Sequence, residues 1–572
     1  MPERIPDASP AADPTDASDP YQRERQTFPT LSEEQIARAR DYGSVESLPA
    51  GTVLFERGER AVDFFLVLDG NVEIFDTAPD GSDNVFTVHR ARQFTGELDL
   101  FNGRKILVGG RTGVDSDILR VPRNRFHKMV SSETDIGETI MRAFILRRTA
   151  FLVHDQAGVI LLGEPNGADV LRIRRFLSRN GYPYRFVDVT DENARAALPA
   201  DVEIDPDRLP AVIRPKEGVL HAPSTPELAD ALGLTEPLDE DHVHDLAVIG
   251  AGPSGLSAAV YAASENLDTV VVEQEAPGGQ AGTSSRIENY LGFPTGISGQ
   301  ALAGRAWIQS QKFGARFVVS RAVARIDCER HPFRLTLDDG RSLAARALVV
   351  ASGATYRSLA LENYERYEGQ GIHYAATAIE AQLCVGEEII VVGGGNSAGQ
   401  AAVFLSRHAS HVHVLVRGDT LADSMSGYLV RRIDSSPRIT LHTRTEISAL
   451  HGERLLERVT WIRNAGRDGG GGEETRDIGN VFVMIGAVPN SAWLEGCVEL
   501  DERGFVLTGL DVEGRRPSSL FTTSVEGIYA VGDVRSGSVK RVASGVGEGS
   551  VCIQSVHRWL TESTAEEEGA AT

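Results

Sequence analysis

The feature that most constrains this chain is residues 245–273, where an apolar strand, a glycine-rich turn, a helix of small residues and a second apolar strand follow one another. In such a turn, Gly250 closes a tight bend, Gly252 lets backbone amides approach a phosphate, and Gly255 lets helix and strand pack closely. The second strand ends in Glu273, an acid that can accept hydrogen bonds from a ribose. The unit predicts a dinucleotide site at the start of the helix, where the helix dipole favours phosphate.

Length and charge narrow the possible functions. A chain of 572 residues is too long for one hydrophobic core, so we expect three or four domains. The net charge of −23 disfavours nucleic acids and anionic membranes as partners, because both repel an acidic surface. Residues 1–28 are rich in Pro, Asp, Ala and Ser, which predicts a disordered tail, and they lack the apolar centre of a signal peptide. We therefore expect a cytoplasmic protein with no membrane partner.

The cysteines offer no recognisable pattern. The chain has four, and no two of them lie close enough in sequence to form a Cys-x-x-Cys or zinc motif: Cys328, Cys384, Cys497 and Cys552. We expect each to be a small buried apolar residue, and we predict no metal site.

A second glycine turn follows another apolar strand. The strand that comes after this turn ends in Arg417 and not in an acid. Because an arginine suits the 2′-phosphate of NADPH whereas an acid selects NADH, the sequence favours NADPH, with a solvated strand-end arginine as the alternative. The residues expected to hold the nicotinamide nucleotide are Gly393, Gly395, Asn396, Ser397, Ala398 and Arg417.

Residues 29–150 read as short strands punctuated by glycines and closed by a helix over residues 132–148. They resemble the cyclic-nucleotide-binding domain family, whose phosphate-binding segment is matched by Gly96, Glu97 and Leu98. In that family an arginine about ten residues on holds the cyclic phosphate, but this sequence has Ile106 at the matching position. An aliphatic side chain cannot make a charge-assisted contact with phosphate. We expect a docking or dimerisation module, with cyclic nucleotide binding as the alternative.

Residues 155–234 resemble the thioredoxin/glutaredoxin fold, in which a cis-proline precedes the third strand. Pro210 is the candidate for that cis bond. The turn that carries the active-site cysteine in this family is residues 163–168 here, and it contains no cysteine. Without a thiolate such a module can bind or orient a partner but cannot exchange disulfides. A divergent α/β spacer is the alternative, and residues 235–244 form an acidic linker.

The rest of the chain looks like low-molecular-weight thioredoxin reductase over some 320 residues. The motifs occur in family order and lie at residues 245–273, 276–281, 287–294, 347–354, 389–398 and 527–534. The resemblance implies an FAD domain, residues 245–361 and 488–560, with an NAD(P)H domain, residues 362–487, inserted into it. The predicted fold is thus multidomain, with a β-roll, a small thioredoxin-like α/β domain and two Rossmann-like α/β domains.

The resemblance also assigns residues and an assembly. It implies a homodimer that passes electrons to a small-molecule or protein acceptor. Only Arg417 of the family's adjacent arginines is present, since Gly418 replaces the second. The residues that would hold FAD are Gly250, Gly252, Pro253, Ser254, Gly255, Glu273, Gly279, Gln280, Asn289, Gly353, Gly532, Asp533, Arg541, Val542 and Ala543.

One departure from the family bears on the reaction. The family reads Tyr-Cys-Ala-Thr-Cys where this chain has Ala375 and Ala378 in place of the two cysteines. An alanine cannot take up electrons or form a mixed disulfide, so we predict no catalytic residue there. The favoured hypothesis is an NAD(P)H-dependent flavoprotein oxidoreductase whose acceptor is not an intrinsic disulfide. The alternatives are a thioredoxin reductase that uses an external dithiol and a redox-inactive sensor or scaffold.

Overall fold

The computed structural model describes residues 23–60, 62–77, 83–154, 156–191, 205, 208–215, 217–284, 287, 289–368, 370–374, 376, 378–422, 424–453, 455–463, 472–512 and 519–570. The chain divides into two compact units. The first comprises residues 1–165, 176–239 and 308–321, and the second comprises residues 166–175, 240–307 and 322–572.

The first unit begins with an antiparallel β-roll. Its helices are α1 (Glu24–Thr27), α2 (Glu33–Ala39), α3 (Arg123–Ser132) and α4 (Thr134–Val153). Its strands are β1 (Ser44–Leu48), β2 (Val53–Phe55), β3 (Phe64–Asp69), β4 (Asn71–Thr77), β5 (Asp83–Arg90), β6 (Gly109–Thr112) and β7 (Ser116–Val121). They form two sheets, ordered β1-β7-β3 and β2-β6-β4-β5. Fully buried phenylalanine rings fill the core, and Phe64 stacks on Phe126 with ring centroids 5.0 Å apart.

The second part of this unit is a small α/β sheet. Its elements are β8 (Val159–Gly163), α5 (Ala168–Arg179), β9 (Tyr184–Asp188), β10 (Ala211–Arg214), β11 (Gly218–His221) and α6 (Thr225–Ala231). The strand order is β11-β10-β8-β9, in which β8 and β9 are parallel and β10 is antiparallel to both of its neighbours. The bond from Leu209 to Pro210 is cis, as predicted. Helix α5 is divided between the two units.

The first half of the remaining chain contains β12 (Val243–Ile249), α7 (Pro253–Ser264), β13 (Thr269–Glu273), α8 (Gly299–Lys312), β14 (Arg316–Val319), β15 (Val323–Asp327), β16 (Phe333–Leu337), β17 (Ser342–Val350), β18 (Ala354–Tyr356), β19 (Ile372–His373) and α9 (Ala378–Leu383). Strand β14 and the end of α8 belong to the first unit. The second half contains β20 (Glu388–Val392), α10 (Asn396–Leu405), β21 (His411–Val416), α11 (Gly427–Asp434), β22 (Ile439–Thr443), β23 (Thr445–His451), β24 (Arg458–Arg463), β25 (Glu473–Arg476), β26 (Val481–Val483), β27 (Ala487–Pro489), β28 (Ile528–Ala530) and α12 (Val542–Ala570).

Two sheets of the second unit position the glycine turns. The first has the order β13-β12-β17-β16-β15, with β28 paired to β17, and the strands β12, β13, β17 and β28 are parallel. The second is parallel throughout, with the order β19-β26-β20-β21-β22. Continuous apolar runs suit such strands because both faces are covered, and every residue of β13 is buried. Both glycine turns therefore lie at the carboxyl ends of parallel strands, where α/β folds bind nucleotides.

The structure corrects three expectations. The predicted tail, residues 1–28, ends sooner, because its last residues form α1 with Thr27 buried, while residues 1–22 lie outside the described residues. The helix expected over residues 132–148 is α4, which runs from Thr134 to Val153, and a helix that was not predicted, α3, precedes it. Cys328 and Cys497 form a disulfide, whereas Cys384 and Cys552 are buried as expected.

None of the helices that the structure describes is both long and apolar enough to cross a membrane.

Candidate cofactor-binding site

The first glycine turn joins β12 to α7 and is closed on one side and open on the other. Gly250 has a φ of +100°, and a Cβ there would lie 2.4 Å from the carbonyl oxygen of Ala351. A Cβ on Gly255 would lie 1.9 Å from the carbonyl oxygen of Gly250. Gly252 differs, because a Cβ there would meet no atom within 4 Å. Gly250 and Gly255 thus serve close packing, whereas Gly252 leaves space beside the first amides of α7.

The start of α7 is covered by the carboxy-terminal part of the chain. Gly252 is the N-cap residue and Pro253 opens the helix, so the first amides have no partner within it. The hydroxyl oxygen of Ser254 would lie 2.3 Å from a Cβ on Gly532 and 2.5 Å from one on Gly545. These contacts bring the predicted residues Ser254 and Gly532 together at the end of the sheet.

Glu273 holds the end of β13 against this turn. Its side chain is buried, and it accepts hydrogen bonds from the backbone amides of Ala251 at 2.7 Å, Glu275 at 2.9 Å and Ala276 at 3.3 Å. The carboxylate therefore fixes the path of the chain on both sides of the predicted ribose position.

The predicted flavin neighbours gather beside the same turn. A Cβ on Gly279 would lie 2.9 Å from the Cα of Gly252, so this loop lies against the glycine turn. The side-chain amide of Gln280 donates to the carbonyl of Ala354 at 3.3 Å. Next to it, Gly353 has a φ of +66°. Asn289 is exposed in the same unit.

The carboxy-terminal residues form a second wall. Asp533 is half-buried, and burial raises the pKa of its carboxyl, an effect that Lys540 opposes. The amide of Gly545 donates to the carbonyl of Arg541 at 3.0 Å, which places Arg541 immediately before α12. Of the other two predicted residues, Val542 is half-buried and Ala543 is exposed at the start of that helix.

Two residues with structural roles at this site were not predicted. Glu548 accepts from the amide of Gly532 at 2.7 Å and pairs with Arg535 at 2.9 Å. Asn490 donates its backbone amide to the carbonyl of Gly353 and its side-chain amide to that of Ser352, both at 2.9 Å. Glu548 lies within a glycine-rich run, but sequence spacing alone gives no signal for either contact.

These features fit the FAD that the sequence predicts. The open side of Gly252 and the unpartnered first amides of α7 suit a pyrophosphate. Glu273, at the end of β13, accepts from the amide of Ala251 in the same turn, so the adenosine ribose would lie beside this turn.

The second glycine turn joins β20 to α10 and repeats this arrangement. Gly393 has a φ of +140°, and a Cβ there would lie 2.2 Å from the carbonyl oxygen of Met484. A Cβ on Gly395, the N-cap residue of α10, would meet no atom within 4 Å. Ala398 is buried against the turn, whereas Ser397 is exposed beside the open side. The turn is thus closed at Gly393 and open at Gly395.

A serine-rich loop is tied to this second turn. Asn396 accepts from the backbone amide of Ser426 at 2.7 Å, and the hydroxyl of Ser424 donates to the carbonyl of Gly394 at 2.8 Å. Arg417 is exposed directly after β21. The loop that follows it is held by Arg444, which pairs with Asp419. The predicted nicotinamide-nucleotide residues therefore lie around one turn at the end of the second sheet.

The two cysteines of the described residues that are not in a disulfide, Cys384 and Cys552, are both buried. Ala378 begins α9, and Ala375 lies outside the described residues. Burial raises the pKa of the Cys384 thiol to about 11 and raises that of Cys552 further. A thiol with a raised pKa is a poor nucleophile at neutral pH.

The disulfide lies at the other end of the first sheet from its glycine turn. Cys328 and Cys497 have Cα atoms 6.0 Å apart. Cys328 follows Asp327, the last residue of β15. Neighbouring strands pair in a row across the sheet from that residue, through Arg334 and Ala344 to Val243. That row meets β12 at its first residue, whereas Gly250 follows its last, and the separation along the strand is roughly 20 Å.

The segment that was predicted to bind a cyclic nucleotide is in contact with other residues of the first unit. Glu97 is buried and accepts from the Nε of Arg148 at 2.8 Å. Burial raises the pKa of Glu97 to about 8, against the effect of Arg148. Gly96 has a φ of +105°, and Leu98 begins a short 3₁₀ helix. The basic residues nearest in sequence to the phosphate position also have partners: Arg104 donates to Asn180, Lys105 pairs with Glu217, and Arg111 pairs with Glu73.

Two regions of the chain match models of known protein families. Residues 244–549 match the family model described as pyridine nucleotide-disulphide oxidoreductase, and residues 45–133 match the one described as cyclic nucleotide-binding domain. Both matches confirm the corresponding resemblances in the sequence.

Curated relatives and solved structures agree with the first match. The chain is 35% identical to NADPH-dependent thioredoxin reductase 3 of Arabidopsis thaliana, over 56% of this chain and 59% of that protein. It is 32% identical to thioredoxin reductase of Bacillus subtilis, over 57% of this chain and 97% of that protein. The structure of Lactococcus lactis thioredoxin reductase aligns with 56% of this chain and 99% of its own, with a TM-score of 0.51 at 25% identity.

The family match covers more than half of the chain, and it includes both glycine turns together with Glu273, Asp533 and Glu548. The chain therefore belongs to the pyridine nucleotide-disulphide oxidoreductases, an enzyme family, and is similar to thioredoxin reductases within it.

Proposed function

We propose that this protein is an FAD-dependent oxidoreductase that takes hydride from NADPH and passes electrons to an acceptor other than a disulfide of its own chain. The observation that carries the proposal is the pair of half-open glycine turns combined with alanine at both family thiol positions, Ala375 and Ala378. FAD and NADPH, when bound, supply hydride transfer from nicotinamide to flavin.

The chain's own residues bind and orient these cofactors. The amides at the open side of Gly252 hold the FAD pyrophosphate, and Glu273 receives the adenosine ribose. The amides that start α12, after Arg541, would hold the flavin ring and would stabilise negative charge on it. Gly395 and Asn396 hold the phosphates of the nicotinamide nucleotide, and Arg417 favours NADPH through its 2′-phosphate.

The sulfur atoms of the chain support a non-disulfide route. Cys384 and Cys552 are buried with raised pKa values, and the disulfide of Cys328 lies at the far end of the sheet from Gly250. We assign the disulfide a structural role. We infer a thioredoxin-like module for residues 155–234, which the strand order β11-β10-β8-β9 supports, and the turn before α5 has no cysteine. That module binds or orients a partner within a homodimer.

An anaerobic titration of the full chain with NADPH tests this function. The visible flavin band should bleach, and oxygen or a quinone should restore it, while turnover with thioredoxin and insulin stays at background. A flavin band that remains oxidised with both NADPH and NADH would contradict the oxidoreductase. The double variant Ala375→Cys/Ala378→Cys is the matched control and should gain thioredoxin turnover.

Thioredoxin reduction through an external dithiol is the second candidate, because the relatives carry that name. Turnover by the unaltered chain that equals the double variant would favour it.

A further inference from the structure

The β-roll of the first unit encloses a cavity that the oxidoreductase function does not use. Its wall carries the rings of Phe28, Phe55, Phe86 and Phe151 together with the side chain of Ile106. The cavity leaves about 50 Å³ for the centres of water-sized molecules. One ordered water needs roughly 10–15 Å³ in that measure. The space therefore admits a molecule larger than a single water.

Two residues of this wall, His89 and Thr95, carry buried polar side-chain atoms. His89 is 3% exposed and Thr95 is 1% exposed. Within the part of the chain that the structure describes, neither His89 Nδ1 nor Thr95 Oγ1 has a hydrogen-bond partner. Burial lowers the pKa of His89 well below its ordinary range, so its ring is neutral and Nδ1 can accept a hydrogen bond from a hydroxyl. Unsatisfied buried polar atoms are costly, and a ligand hydroxyl has both a donor for His89 Nδ1 and an acceptor for Thr95 Oγ1.

The same wall is poorly suited to a cyclic nucleotide. Ile106 stands at the position of the family's phosphate-binding arginine, and the arginine that does line the wall, Arg147, donates to the backbone carbonyls of Thr27 and Gly96. Glu97, which would meet the ribose, is held by Arg148. The other acid in the wall, Asp63, accepts from Arg120 at 2.7 Å.

We propose that this cavity binds a small uncharged aromatic molecule that carries one hydroxyl group. The rings of the wall contact the aromatic body, as apolar pockets with few polar groups do. The hydroxyl donates to His89 Nδ1 and accepts from the hydroxyl of Thr95. Arg147 also lines the cavity, where it donates to the carbonyls of Thr27 at 3.0 Å and Gly96 at 2.8 Å. An aromatic carboxylate is therefore the comparison that tests the uncharged class.

Equilibrium dialysis of the full FAD-loaded chain is the test, with 2-naphthol as the probe. We expect one saturable site per chain with a dissociation constant on the order of 10 µM. Naphthalene, which lacks the hydroxyl, should bind about 5-fold more weakly, and 2-naphthoate should bind more weakly still. Tighter binding of 2-naphthoate, displacement of 2-naphthol by cyclic AMP, or no saturable binding would each overturn the proposal.

Two variants locate the site. Thr95→Val keeps the shape of the side chain and should weaken 2-naphthol about 5-fold while leaving naphthalene unchanged. Ile106→Arg fills the cavity with a charged group and should abolish binding of both probes. Val45→Thr, on the exposed face of β1, is the control and should change neither. Because Thr95→Val is nearly isosteric, it remains informative if Ile106→Arg fails to fold. Equal 2-naphthol binding in Thr95→Val and the unaltered chain would show that the probe binds elsewhere.

Discussion

The two glycine turns of the second unit share one backbone arrangement but differ in the residue that ends the next strand. Each has one glycine pressed against a carbonyl of a neighbouring strand, Gly250 and Gly393, and one that faces open space, Gly252 and Gly395. The strand after the first turn ends in a buried acid that accepts backbone amides, whereas the strand after the second ends in the exposed Arg417. The turn thus provides a phosphate site, and the end of the next strand selects which ribose can lie beside it.

The largest effect is expected where the closed side of a turn is filled. In Gly255→Ala the new Cβ would lie 1.9 Å from the carbonyl of Gly250, so α7 must move off the turn. We expect a loss of about 1–3 kcal/mol in the free energy of unfolding and purified protein without FAD. The ratio of flavin to protein absorbance and thermal melting measure both. Gly304→Ala in α8, where a Cβ meets nothing within 4 Å, is the control.

The open side of the same turn should respond differently. Gly252→Ala places a Cβ where no protein atom lies within 4 Å, so the stability of the FAD-free protein should not change. Its affinity for FAD should fall about tenfold, because the methyl group occupies space beside the phosphate site. Equal losses of stability in Gly252→Ala and Gly255→Ala would break the distinction between the two sides.

The buried acid after the first turn should be sensitive to loss of its charge. Glu273→Gln puts an NH₂ group among amides that also donate, so one of them loses its acceptor. We expect a loss of about 1–2 kcal/mol in the free energy of unfolding, together with weaker FAD retention. Denaturant unfolding measures the first quantity. The exposed Glu275→Gln is the matched control, and a similar loss there would show that charge alone matters.

The exposed arginine after the second turn should affect only one nucleotide. Arg417→Ala removes a cation from the predicted 2′-phosphate position, so the KM for NADPH should rise about tenfold while that for NADH stays the same. Steady-state rates with each nucleotide measure the change. Arg407→Ala, an exposed arginine after α10, should alter neither value. An equal rise for NADH would mean that Arg417 does not read the phosphate.

The smallest effect concerns acid stability in the sheet of the second turn. Burial lowers the pKa of His442 on β22 to about 4, with His413 and Arg463 adding to the shift and Glu474 opposing it. The unfolded chain takes up this proton below its ordinary pKa of about 6.5, whereas the folded chain stays neutral. The contribution of His442 to the free energy of unfolding is therefore fully present above pH 6.5 and is lost as the pH falls towards 4.

His442→Gln should reduce this acid-induced loss. The measurement is thermal melting at pH 7 and at pH 5. The transition to follow is the one that NADPH shifts. His408→Gln, on an exposed residue, should leave the difference between the two pH values unchanged. If the His442→Gln variant lost as much stability between pH 7 and pH 5 as the unaltered chain does, other groups would be responsible for the effect.

Local sequence was enough to predict both glycine turns, because a strand, a turn and a helix that follow one another directly are fixed by neighbouring residues. The cis bond before Pro210 was predicted from the resemblance to the thioredoxin/glutaredoxin fold, in which a cis-proline precedes the third strand. Helix α3 was missed, since it has only 10 residues and lies directly before α4.

Contacts between residues that are far apart in the chain could not be predicted from the sequence alone. Cys328 and Cys497 are 169 residues apart, and nothing in their neighbours marks them as a pair. Glu548 contacts Gly532, and Asn490 contacts Ser352 only because the chain returns to the first sheet after the second. The pairing of Glu97 with Arg148 likewise depends on how α4 folds back onto the β-roll.

The contact between α7 and α12 bears on how the protein is made. A Cβ on Gly549 would lie 2.1 Å from the carbonyl oxygen of Ser254, and the hydroxyl of Ser257 donates to the carbonyl of Val546 at 2.8 Å. The first turn leaves the ribosome roughly 300 residues before the helix that covers it, which is about 15–60 s at ~5–20 residues per second. During that interval the nascent chain must keep the apolar face of α7 from aggregating, and FAD can be captured only after α12 has been synthesised.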